Sequence, residues 1–370
     1  MQKRVLYIGL DVDDNKFHGY CICEKTGEAF PFTSRPNASK LISTLKKIES
    51  KGFSLKLCYE ACYLGFALYR ELEAAGIHCD VVASNMIPSK PGERVKTDRK
   101  DSERLALLYM KDMLTPVHVP TKEDENDRDL VRSREFLREQ LNSFQRHLIS
   151  LCRRSALHFK GETGKLCHWT KSHVRWIQEK VSSLHAGSLK NNLNFLMMQI
   201  TELRETIASY DAEIEKLSRE KKYKKKVQAL TCFKGLSELS AMTVITEIQD
   251  IRRFPHPKKL VSYLGFDISE YSSGGKEKKY GITKMGNSRV RKRLVESCQK
   301  CHMPTFGHSK KFRDRSLVPK NVLSIADKCS KRLFKKSTRL IAREKNRNKV
   351  KVACAREMST FIWESLMMVA

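Results

Sequence analysis

The chain has 370 residues, with 71 Lys+Arg against 42 Asp+Glu and a formal net charge of +29. Hydrophobic residues make up 40% and charged residues 31%, which provides for a packed core, excludes wholesale disorder and predicts two or three domains. A charge this large calls for a polyanionic partner, and nucleic acid fits: no apolar run reaches the roughly 18 residues of a membrane span.

The opening run Val5-Leu6-Tyr7-Ile8-Gly9-Leu10 meets Asp11 after too few apolar residues for a signal-peptide core. Twelve cysteines without a tight framework fit reduced thiols. The expected location is therefore the cytoplasm, at the nucleoid.

Residues 1–120 read as an alternating α/β domain. Strands are predicted at Val5 to Val12, Phe17 to Cys23 and Ala29 to Thr33, then a helix over Ala38 to Lys51 with apolar Leu41, Ile42, Leu45 and Ile48. A strand at Ser54 to Glu60, a helix from Gly65 to Ala75, a strand at Cys79 to Ala83 and a helix from Asp98 to Met113 complete the order β-β-β-α-β-α-β-α.

Residues 121–226 read as a helical arm. Leu130, Leu137, Leu141, Phe144, Leu148 and Leu151, and then Leu193 through Leu217, carry the 3/4 spacing of paired helices. That pairing is either an intramolecular hairpin or a dimerising coiled coil. Gly161 to Gly187, with Trp169, His173 and Trp176, is expected to be a connecting loop, and the run Lys221 to Lys226 closes the arm because like charges resist packing.

Residues 227–370 form a helical C-terminal domain. Phe233-Lys234-Gly235-Leu236-Ser237 with the apolar helix Leu239 to Ile248 resembles a helix-hairpin-helix, with Ser237 where a second glycine is usual. From Ser309 to Lys351 cations face only Asp314, Asp327 and Glu344, a one-sidedness expected of phosphate contact. The expected nucleic-acid contacts are Lys276, Lys284, Arg289, Arg291, Lys310, Lys311, Lys335 and Lys336.

Four acids stand out. Asp11 and Glu60 each close an apolar strand, and Asp98 and Asp101 share a helix face three residues apart. Carboxylates gathered at one point need a cation, and hard oxygen donors suit Mg²⁺ or Mn²⁺; two such ions about 4 Å apart can clamp a phosphodiester. The bland alternative makes Asp98 and Asp101 acids favoured by a helix N-terminus and Glu60 a loop residue. Jointly the four read as an RNase H-like nuclease core; Asp13 is a supporting or turn acid.

Tyr271-Ser272-Ser273-Gly274-Gly275-Lys276 precedes the basic stretch Lys284 to Arg293. Glycines beside a serine admit a phosphate, and nearby cations stabilise an oxyanion, so the segment is either a nucleophile loop or a flexible connector. Cys298-Gln299-Lys300-Cys301-His302 spells a haem-attachment pattern, but without an export signal or a second Cys/His pair it reads as structural, as do Cys21/Cys23 and Cys58/Cys62.

The chain resembles the insertion-sequence transposases of the IS110 family, IS1111 branch, over nearly its whole length. Tyr7-Ile8-Gly9-Leu10-Asp11-Val12, Tyr59-Glu60-Ala61, and Ile87-Pro88 through Arg94-Val95-Lys96-Thr97-Asp98-Arg99-Lys100-Asp101 look like the three acidic motifs of a RuvC-like DEDD domain. Tyr263-Leu264-Gly265, Ser272 to Lys276, Gly281 to Asn287 and Ala355-Arg356-Glu357 with Phe361-Ile362-Trp363 look like the C-terminal transposase domain. The resemblance implies that Asp11, Glu60, Asp98 and Asp101 bind two metal ions and that Ser273, with Ser272 as alternative, attacks DNA to form a phosphoserine link. It also implies a structured guide (bridge) RNA pairing with donor and target DNA, and a dimer or dimer of dimers with composite sites. Two rivals stay open: a RuvC-like metal-dependent endonuclease without serine chemistry, and a non-catalytic nucleic-acid scaffold.

Overall fold

The protein is described here by a computed structural model covering residues 4–88, 98–166, 168–273, 276–304 and 315–370, with backbone alone at 272, 273, 276, 277 and 279. The chain divides into two compact units, Met1–Pro120 and Thr121–Ala370.

The first unit is a five-stranded mixed sheet with helices on both faces. Its elements are β1 (Arg4–Val12), β2 (Phe17–Cys23), β3 (Ala29–Ser34), α1 (Ala38–Glu49), β4 (Phe53–Glu60), α2 (Ala67–Ala74), β5 (His78–Val82) and α3 (Asp98–Met110), which is the β-β-β-α-β-α-β-α order. The strands lie in the order β3-β2-β1-β4-β5, the first three antiparallel and β1, β4 and β5 parallel. Alternation decides the faces. Leu6, Ile8 and Leu10 with Leu55, Leu57 and Tyr59 pack under α1 and α2 through Leu41, Leu45, Leu68 and Leu72. Cys58 and Val82, on the other face, meet Leu105 of α3.

Gly9 sets how closely α3 approaches. A Cβ there would lie 2.2 Å from the Ser102 carbonyl oxygen and 2.3 Å from the Ala106 nitrogen, so only glycine lets the helix backbone rest on β1.

In the second unit α4 (Lys122–Arg154) and α7 (Ser188–Ser218) pair antiparallel, with Leu141, Leu148 and Cys152 against Leu193, Leu196 and Ile200. The Arg134 Nε and Nη2 donate to Asp211 at 2.8 and 3.0 Å. The two apolar seams thus face each other within one chain, along about 50 Å of helix at 1.5 Å per residue.

Between them the sequence expectation of a loop fails: α5 (Phe159–Thr163) and α6 (Lys171–Ser183) are helical. Thr170 caps α6 by accepting the His173 N–H at 3.2 Å, and Trp176, Ile177 and Val181 supply a buried stripe that tertiary packing rewards.

The remaining elements are α8 (Lys221–Thr231), α9 (Glu238–Ile248), α10 (Pro257–Tyr263), β6 (Ile268–Ser273), β7 (Lys276–Ile282), α11 (Ser288–Ser297), α12 (Lys320–Ala342) and α13 (Arg347–Met367). Their core also takes Val131 and Ile214 from the arm. The basic run does not stay unpacked. It forms the start of α8, where Lys222 Nζ sits 3.0, 2.9 and 2.8 Å from Glu123, Asp124 and Asp127, three acids in the first turns of α4 that neutralise it. Among the described residues no helix is long and apolar enough to cross a membrane.

Candidate active site and nucleic-acid interface

Tyr7, Gly9 and Asp11 share the β1 face that α3 covers, and α3 runs antiparallel to the strand. Tyr109 meets Tyr7 edge-on with centroids 5.8 Å apart, Ser102 and Ala106 lie over Gly9, and the first turn, with Asp98 and Asp101, reaches the end where Asp11 stands. Asp98 Oδ2 is 3.7 Å from His18 Nε2, and His18 is the ladder partner of Asp11. Glu60 and Asp11 lie one step beyond the Leu10↔Tyr59 pair of the parallel β1/β4 ladder. Burial, and after it the charges of Glu60 and Asp11, push the Cys62 thiol pKa up.

Asp11 and Asp101 are half-buried, Glu60 and Asp98 exposed. Among the described residues no three acid, imidazole or thiol groups are gathered as a formed metal site. The donor set nevertheless fits a hard divalent ion: carboxylate oxygens, partly open to solvent, drawn to one end of the sheet. Asp13 is a turn acid, accepting the Asn15 N–H at 2.8 Å. Arg94 to Thr97 of the third motif lie outside the described residues. His18 was not among the sequence candidates; only the β1/β2 register places it between Asp11 and Asp98.

In the second unit β6 and β7 form a two-stranded ribbon in which Tyr271 pairs with Lys278, Ser272 with Glu277 and Ser273 with Lys276. Gly274 and Gly275 and the side chains of Ser272, Ser273 and Lys276 lie outside the described residues. The ribbon's base is tied by backbone: Lys284 N donates to Gly265 O (3.1 Å), Thr283 N to Asp267 O (2.8 Å) and Asn287 N to Tyr263 O (2.9 Å). Gly286, at φ +135°, passes so close to the Tyr263 carbonyl that a Cβ would lie 2.2 Å from its oxygen.

Beneath this base sit two buried acids that the sequence reading did not single out. Glu247, 4% exposed, accepts from Arg132 Nε and Nη2 at 2.6 and 2.8 Å and from Asn287 Nδ2 at 2.8 Å. Glu135, 5% exposed, accepts from Arg289 Nη1 at 2.8 Å, with Lys292 at 3.5 Å. A glutamate inside the apolar run Ala241 to Ile248 was the available signal. Of the expected nucleic-acid contacts, Arg289 is therefore paired to Glu135, and Arg291 donates to Leu264 O at 2.7 Å; Lys284 is exposed at the ribbon base.

Burial raises the Glu247 carboxyl pKa, but the Arg132 guanidinium and Asn287 amide outweigh it and hold the group below the usual range. Glu247→Ala takes the buried acceptor from the partly exposed Arg132 guanidinium and the half-buried Asn287 amide and is expected to lower the unfolding free energy by about 1–3 kcal/mol, measured by urea denaturation. The depressed folded pKa means that this contribution is fully present above the unfolded value of about 4.3 and is lost as pH falls through the folded one. An unchanged urea midpoint would remove the network as the ribbon's support.

On α12, Lys328, Lys331, Arg332, Lys335, Lys336 and Arg339 line a groove of about 550 Å³ with Glu357 of α13. Val322, Ile325, Ala326, Cys329 and Leu333 bury the opposite helix face, so the cations form a stripe about 16 Å long. Lys336 Nζ lies 2.6 Å from Glu357 Oε2, and Arg332 also donates to Glu357. Lys310 and Lys311 lie outside the described residues. Cys298 and Cys301 are buried in the C-terminal core, Cys298 Sγ 4.0 Å from Met358 Sδ.

Residues 227–312 match the family described as Transposase IS116/IS110/IS902 family. The protein designated transposase y4qE of Sinorhizobium fredii (strain NBRC 101917 / NGR234) is 34% identical over 319 residues, 86% of this chain and 77% of that one. The transposase for insertion sequence element IS1533 of Leptospira borgpetersenii is 27% identical over 350 residues, 93% of this chain and 99% of that one. The transposase for IS1111A of Coxiella burnetii (strain RSA 493 / Nine Mile phase I) is 23% identical, covering 80% and 78%.

Proposed function

The chain belongs to the IS116/IS110/IS902 transposase family, and from that premise we propose that it excises and inserts its element by metal-dependent DNA strand transfer through a serine ester, guided by a structured RNA. DNA is the substrate and transposition the reaction. One observation carries the catalytic part: Asp11 and Glu60 stand at neighbouring strand ends, with the first turn of α3 brought to the same end. The mixed sheet with helices on both faces supports an RNase H-like reading of the first unit.

Asp11, Glu60, Asp98 and Asp101 would hold one or two Mg²⁺ or Mn²⁺ ions, which when bound polarise the scissile phosphate. His18, between Asp11 and Asp98, orients Asp98. The serine hydroxyl of the ribbon gives up its proton, its oxygen bonds phosphorus, and the departing deoxyribose oxygen takes a proton. A hydroxyl of the partner strand then displaces the serine, so no bond energy is lost to water. The acids and the serines belong to different compact units, in keeping with a composite site built from two subunits. The cationic stripe of α12 fits backbone phosphate and has no aromatic platform among its lining residues.

The separation of acids and serines into two units also favours a second reading, a metal-dependent endonuclease whose first unit suffices. Expressed with the DNA that flanks its gene, the protein is expected to carry one discrete flank-encoded RNA and to convert a donor plasmid into excised, rejoined circles in Mg²⁺ buffer. A smear of host RNA beside intact excision would remove RNA guidance. Nicked plasmid without rejoined product would establish the endonuclease instead.

A further inference from the structure

At the free end of the α4/α7 pair, α5 and α6 enclose a cavity of about 480 Å³, within the size range of small-molecule sites. Its walls are Leu148, Cys152, Leu157, Phe159, His173 and Trp176. The three rings are mutually packed: Phe159 lies 4.6 Å from His173 and 5.3 Å from Trp176, and His173 stacks on Trp176 at 6.0 Å. Arg153, His158, Lys160 and His168, all exposed, form the rim. Among the described residues no acidic side chain lines the cavity. Glu162, which accepts from Trp176 Nε1 at 3.2 Å, is paired to Lys180 at 2.6 Å.

Two helices in an antiparallel hairpin need only a short connection, about 2–8 residues, yet residues 155–187 separate α4 from α7. The extra chain is spent on this aromatic chamber. His173 is 2% exposed and accepts the Trp169 N–H on Nδ1 at 2.9 Å. Burial, aided by His168, pushes its pKa down to about 4, so it is neutral at pH 7 and carries its remaining proton on Nε2.

We propose that the chamber binds an unpaired nucleotide, its base against the aromatic wall and its phosphates on the Arg153, His158 and Lys160 rim. A flat, apolar body joined to negative charge is what aromatic walls beneath a cationic rim select. The proposal rests on the nucleic-acid reading above but concerns a site remote in sequence from both the acids and the serine ribbon.

The test uses the full-length protein and labelled hairpins with an unpaired loop, compared with fully paired duplexes of equal phosphate count, in ribo and deoxy forms. Stacking of one base predicts about tenfold tighter binding of a looped form. Arg153→Ala with Lys160→Ala should erase that preference while duplex binding remains. Photocross-links from an iodinated loop base should map to the peptide spanning Leu148 to Trp176. A preference for the ribo or the deoxy loop supports the site and identifies the strand that fills it. Equal affinity for looped and paired forms, or a preference that survives the rim variant, overturns the chamber alone. Binding of neither overturns the nucleic-acid reading itself.

Discussion

Asp11→Asn is expected to reduce strand cleavage by about a thousandfold while leaving the fold intact. A ligand to a catalytic metal supplies several kcal/mol of transition-state stabilisation, and each 1.36 kcal/mol is about a tenfold change in rate. The substitution keeps the shape of the side chain and removes its charge, so packing of Leu6, Ile8 and Leu10 on the opposite face is untouched. Asp11 shares its sheet end with Glu60 and lies across the ladder from His18, which Asp98 contacts. Without a bound cation these carboxylates repel one another, and the variant should unfold at the same temperature as the parent or slightly higher. Plasmid nicking at fixed Mg²⁺ and a thermal melt of the metal-free protein separate the alternatives. Normal nicking beside a lowered melting temperature would make Asp11 a structural acid and end the metal-site proposal.

The alternation Leu6, Ile8, Leu10 and the apolar spacing Leu41, Leu45, Ile48 made the strands and first helix of the sheet legible, because a half-buried strand and an amphipathic helix write their periods into the sequence. The two long helices were equally legible, since the 3/4 apolar spacing persists through α4 and α7. What the sequence does not carry is pairing between distant segments. His18 acquires its place only through the register that sets it against Asp11. Glu247 and Glu135 acquire theirs only when α4 brings Arg132 and Glu135 beside α9 and α11. The same contact pairs Arg289, an expected phosphate contact, with a buried acid. Short helices fail for a different reason: α5 spans five residues, less than nucleation can sustain alone, and it exists because Phe159 has Trp176 and His173 to pack against.

Ser273→Ala is expected to abolish the denaturation-resistant protein–DNA adduct and all rejoined product, whereas Ser272→Ala should retain both. The two serines are adjacent in sequence but not equivalent in the ribbon. In the backbone register Ser273 pairs with Lys276, and Ser272 with Glu277. Ser273 directly precedes glycine in the sequence, the residue type that lets a phosphate approach the backbone closely. The ribbon that presents them is held at its base by the Tyr263, Gly265 and Asn287 backbone ties and, through Asn287, by Glu247. Loss of the nucleophile should therefore not unfold it, which the melting temperature of each variant checks. The adduct is read as a shifted band after nuclease digestion of radiolabelled DNA in denaturing gels. An adduct that disappears with Ser272→Ala and persists with Ser273→Ala would move the nucleophile by one residue. If both variants keep full rejoining, the ribbon has no covalent role, and joining must proceed by direct transfer at the carboxylate site.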